Sequence, residues 1–127
     1  MFNRFLVSIL GFAFLISVVP ALAHHSFAAE YDESKPMTLE GVVTRVDWEN
    51  PHVHFYVDVA GADGTIVNWI CETGGPTRLA RRGWTHDSLK PGDRVVVHGF
   101  PAKDAHAVDG RQVTLADGRK IGSGPSH

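Results

Sequence analysis

Between residues 39 and 121 apolar side chains recur at alternate positions, the period of strands that bury one face. Residues 52–59 show it most cleanly: Val53, Phe55, Val57 and Val59 point one way, and His52, His54, Tyr56 and Asp58 the other. Residues 39–48 (LEGVVTRVDW) are rich in β-branched side chains and predict a preceding strand, with Gly41 marking a bulge or bend. Residues 65–72 (TIVNWICE) predict a third strand, 94–100 a fourth and 112–115 a fifth. Glu49-Asn50-Pro51 reads as a turn. Ala62-Asp63-Gly64 suits a three-residue hairpin loop with glycine in the left-handed position. That loop sets Val59 against Val67, Val57 against Trp69 and Phe55 against Cys71, apolar meeting apolar on the buried face. On the outer face it sets His54 opposite Glu72, Tyr56 opposite Ile70 and Asp58 opposite Asn68.

Gly74-Gly75 interrupts the third strand, and residues 76–82 (PTRLARR) can form two helical turns with Pro76 near the first position and Gly83 past the end. Residues 85–89 suggest one more turn, and Lys90-Pro91-Gly92-Asp93 a tight turn feeding the fourth strand. Ala116-Asp117-Gly118 repeats the hairpin-loop pattern before Arg119-Lys120-Ile121. Three strands, a helix and two strands predict a mainly β fold, a five-stranded OB-like barrel with one short helix between strands 3 and 4. An open β-sandwich is the competing arrangement, but it has no need of a helix at 76–82. In the barrel Cys71 points inward, Trp48 and Trp69 pack at the core or barrel ends, and Trp84 caps the open end beneath the helix. Residues 24–38 read as an irregular amino-terminal arm, 39–121 as the barrel, and 122–127 as a frayed tail.

Residues 1–23 read as a secretory leader: Arg4 supplies the positive end, the uncharged run 5–19 the apolar centre, and Ala21-Leu22-Ala23 the cleavage site before His24. The run is shorter than the ~20 residues of a membrane span, so no stable insertion is expected after cleavage. Export predicts a periplasmic or secreted protein. At 43% hydrophobic and 20% charged residues the chain belongs with globular proteins. A single Cys excludes an internal disulfide framework and a multi-cysteine zinc site. The formal charge of −2 becomes one unit more negative when Arg4 is removed, which disfavours nucleic acid as partner.

Several stretches resemble a family of small exported bacterial proteins of unknown function. They are His24-His25-Ser26-Phe27, Gly41-Val42-Val43-Thr44-Arg45-Val46, Trp48-Glu49-Asn50-Pro51-His52, and Arg81-Arg82-Gly83-Trp84-Thr85 through Ser88-Leu89-Lys90-Pro91-Gly92-Asp93. The resemblance implies an exported, small β-rich domain and carries no activity with it. The segment LKPGDRVVVHG is also similar to the entry of strand four in bacterial OB-like domains.

Eight histidines are the unusual feature of the composition. His52 and His54 stand on one face of a strand, where successive side chains are ~6.6–6.8 Å apart, and Glu72 lies across from His54. Two imidazoles and a carboxylate form a mixed nitrogen–oxygen donor set for zinc or copper. The expected mature terminus, His24-His25, offers an α-amine and ring nitrogens that suit Cu(II). Tyr56 and Asn68 share the outer face of strands two and three, the usual ligand platform of such barrels. Arg78, Arg81 and Arg82 cluster on or beside the helix, where they could hold an anionic group. His98 reads as a packed or edge histidine, and His86 and His106 as loop residues. No G-x-S-x-G, H-E-x-x-H or phosphate loop occurs, so the expectation is a non-catalytic binding module. Its ligand is either a Cu(II) or Zn(II) ion held by histidines, or a peptide, saccharide or partner protein docked on the strand 2–3 face without metal.

Overall fold

The computed structural model describes residues 30–124. The leader and His24-His25 therefore lie outside the described residues. The alternating segments form β1 (Met37–Asp47), β2 (His54–Ala60), β3 (Ile66–Glu72), β4 (Arg94–Pro101), β5 (Ala107–Leu115) and a short β6 (Lys120–Gly122), with α1 (Pro76–Arg81) between β3 and β4. The strands follow the order β3-β2-β1-β4-β5-β6, and β3 also pairs in parallel with β5, closing β1–β5 into a barrel. The expected mainly β barrel, with its helix between strands 3 and 4, is the fold observed.

β1 serves two neighbours. Its first half, to Val42, pairs with β4, and the rest, from Val42 on, pairs with β2. A bulge between Val43 and Arg45 makes that turn in direction. Gly41 is required just before it, because any side chain there would collide with the Asp58 carbonyl. The β2–β3 hairpin has the register derived above, pair for pair, from His54↔Glu72 to Val59↔Val67. Gly64 turns the loop at φ 81°.

Alternation fills the interior with Phe55, Val57, Cys71, Val95, Val97, Val108 and Val113, all nearly or fully inaccessible. Burial pushes the Cys71 thiol well above its ordinary range, so it is an inert packing group. Leu79 of α1, Trp84 and Leu89 join the same core, and Trp84 donates its Nε1–H to the Gly122 carbonyl at 3.1 Å. Trp48 and Trp69 pack against the core from partly buried positions.

Several boundaries differ from the sequence reading. β5 starts at Ala107, five residues earlier than expected, because residues 107–109 take their parallel partners from β3. Such non-local pairing leaves no mark in local periodicity. Gly122 and Ser123, expected in a frayed tail, are held: Gly122 belongs to β6, and buried Ser123 bonds the Gly110 carbonyl through its hydroxyl.

Candidate functional site

The parallel β3–β5 seam ends at Glu72↔Asp109, and the antiparallel β2–β3 pair begins at His54↔Glu72. Glu72 therefore stands where three strands meet. His52 lies just before β2 and His54 is its first residue, both about one-third exposed. Their ring centroids are 6.4 Å apart, with planes inclined by 70°. His52 Nδ1 is 3.7 Å from Glu72 Oε1, and His54 Nε2 is 3.9 Å from Oε2, so each carboxylate oxygen faces one imidazole. His52 Nδ1 also lies 3.1 Å from the Thr73 carbonyl. A carbonyl can only accept, so Nδ1 carries a proton, and in the neutral ring Nε2 holds the lone pair. Metal-ligating histidines typically donate their second nitrogen to a carbonyl or carboxylate in this way. Even so, among the described residues no three His, Cys, Asp or Glu side chains converge tightly enough to hold an ion as they stand. The reason is visible: Glu72 faces the protonated nitrogen of His52, and its two oxygens are divided between the two rings.

The cluster has members that the sequence reading missed. Tyr31 is 2% exposed and donates its hydroxyl to Glu72 Oε2 at 2.7 Å. Its backbone bridges Ala102; next to it, the Asp32 N–H donates to the Pro101 carbonyl at 2.9 Å and the Lys103 N–H to the Glu30 carbonyl at 3.0 Å. Residues 30–36 of the arm form no strand, and the arm is docked on the barrel at this point. Burial first, and then the hydrogen bond to Glu72 and the nearby carboxylates of Glu72, Glu30 and Asp109, hold the Tyr31 phenol protonated well above its ordinary range. Asp109 is fully buried and accepts from Arg111 Nε at 2.5 Å. Arg111 also reaches Glu33 at 3.3 Å and lies 5.0 Å over the Phe100 ring. The available signals were an aromatic residue in a polar arm and an acid inside a strand; neither reveals its partner before the barrel closes.

The other outer-face residues are held by neighbours. Arg45 stacks 4.2 Å over the Tyr56 ring, donates to its hydroxyl at 2.9 Å and pairs with Asp47 at 2.6 Å. That contact holds the Asp47 carboxyl below its usual range. Asn68 donates to Asp58 at 2.8 Å and to Thr44 at 3.2 Å. Beside them Ile66 and Ile70 are 63% and 40% exposed. Arg78, Arg81 and Arg82 are exposed on α1 and at its C-cap, not on the sheet; Arg78 lies over Gly74 and the Arg82 guanidinium over Gly124. They do not join the ligand face with Tyr56 and Asn68. His98 is an edge histidine 3.0 Å from the Thr38 hydroxyl, His86 lies 3.6 Å from Asp87, and the His106 ring rests 5.1 Å from Trp69.

No curated protein matches the sequence. Residues 13–111, which take in the barrel through Asp109 and Arg111, match a family of unknown function, DUF6152. The chain is a member of that family.

Proposed function

We propose that the protein is an exported, non-catalytic binding module that holds a Cu(II) or Zn(II) ion at the histidine end of the β2–β3 face. The observation that supports this reading is the placement of His52 and His54 on either side of Glu72, with His52 Nδ1 turned to the Thr73 carbonyl and its Nε2 left to ligate. A third donor is Glu72 or the mature terminus. His25 is six residues from Tyr31, a span of at most about 20 Å, and Tyr31 is bonded to Glu72. The terminal His24-His25 therefore has the reach to supply further nitrogen ligands. The test is calorimetric titration of the leader-processed protein with each ion. Micromolar binding to one site, abolished by joint His52→Ala and His54→Ala replacement, is the expected result; no heat at micromolar concentration overturns it.

A second reading, a peptide, saccharide or partner protein docked on the same face without metal, is favoured by the exposed Ile66 and Ile70. It predicts that partner capture survives loss of both histidines and fails on Ile66→Asp with Ile70→Asp.

A further inference from the structure

We infer that a groove along β1, β4 and β5 is a binding site for a small organic carboxylate with an apolar body, and that Arg111 is its receptor. The groove is independent of the metal reading, because none of its lining residues belongs to the His52–Glu72 cluster. It offers about 300 Å³, the small end of the range for ligand pockets. Pro36, Met37 and Phe100 supply apolar wall, and Thr38, His98 and Arg111 supply polar groups.

The backbone sets Arg111 apart from its strand neighbours. His98 pairs with Gln112 and Gly99 with Gly110, so Arg111 is the extra residue of a β-bulge. Bulges re-aim single side chains and recur beside functional sites. Gly99 makes room for this one, since a Cβ there would collide with the Asp109 carbonyl. The Ser123 N–H holds the bulge by donating to the Arg111 carbonyl at 2.9 Å. At the other end of the side chain, Nε donates to fully buried Asp109, which fixes the guanidinium 5.0 Å over the Phe100 ring.

The chemistry of the ligand is already displayed. Arg111 Nη2 lies 3.3 Å from Oε1 of Glu33, an arm side chain that is 58% exposed. An exposed pair of this kind is weakly held, so a ligand carboxylate can exchange with Glu33 on an arginine that the interior keeps in place. A ligand with an apolar body also covers Phe100, Met37 and Pro36. His98 Nδ1 lies 3.0 Å from the Thr38 hydroxyl; when that hydroxyl donates, the ring proton sits on Nε2, a second donor for the anion.

The experiment titrates nitrogen-15-labelled protein that begins at His24 with phenylacetate and with hexanoate, following amide and arginine Nε–H signals by NMR. At least one probe is expected to saturate below about 10 mM, moving the Arg111 Nε–H and the Thr38, His98 and Phe100 amides. Neutral phenylacetamide is expected to bind at least about 5-fold more weakly than phenylacetate or hexanoate, because a hydrogen bond to a charged group is lost. Replacing Arg111 would strand the buried Asp109 carboxylate, so the variant used is Glu33→Gln, which removes only the exposed competitor. It is expected to bind the same probe about 2- to 5-fold more tightly. No saturable shift with either carboxylate overturns the inference. So does a smaller preference over phenylacetamide, or binding to Glu33→Gln no tighter than to the wild type.

Discussion

The inside of the barrel and the polar seam outside it are built on different principles. The interior is set by alternation within each strand, and Phe55, Val57 and Cys71 are placed by their neighbours two residues away and by one hairpin register. The seam draws Tyr31, His52, His54, Glu72, Asp109 and Arg111 from four separate stretches of chain. Each interior residue contributes apolar area that would be buried in any well-packed barrel. Each seam residue depends on a particular partner, so its geometry follows from closure of β3 on β5 and not from composition.

The largest expected effect breaks the interior. Phe55→Ala removes a fully buried ring and leaves a cavity, and a chemical denaturation midpoint should report a loss of about 3–5 kcal/mol. Asp109→Ala comes next: it leaves the Arg111 guanidinium without its buried carboxylate partner, for a loss of about 3 kcal/mol in the same assay and a more protease-sensitive arm.

Alkaline pH separates the two regions without mutation. The folded state holds the Tyr31 phenol protonated above its ordinary value of 10.0, while the unfolded chain ionises there. The stability linked to Tyr31 is thus complete below about pH 10 and lost above it, at up to about 1.4 kcal/mol per pH unit. A melting-temperature profile on a Tyr56→Phe background should fall above pH 10, and adding Tyr31→Phe should flatten that fall. At neutral pH, Tyr31→Phe should cost about 1 kcal/mol, because water partly replaces the phenol at Glu72, whose side chain is 18% exposed. The smallest change is Ile66→Thr, which should stay within about 0.5 kcal/mol because the side chain packs against little.

This contrast also sets what could be read from the chain before folding. The β2–β3 register was legible, because a three-residue loop ending in Gly64 leaves one pairing that keeps apolar side chains together. With it came the apposition of His54 and Glu72, so part of the candidate site was visible too. Tyr31 and Asp109 were not. Their positions depend on the β3–β5 closure and on the arm bridging Ala102, pairings between residues 37 and 71 positions apart in the chain. The Arg78–Arg82 cluster was legible as lying on or beside the helix, and the helix carries it off the sheet that bears Tyr56 and Asn68.

The proposal that His52 and His54, together beside Glu72, are a site for a metal ion is tested most directly by two-bond proton–nitrogen NMR correlation of the imidazole rings in nitrogen-15-labelled protein that begins at His24. On addition of one equivalent of Zn(II), one ring nitrogen each of His52 and His54 should move to the metal-bound region, with the Nδ1–H of His52 retained. Ring nitrogens that keep their metal-free shifts, or that respond at histidines elsewhere in the chain, would contradict the account.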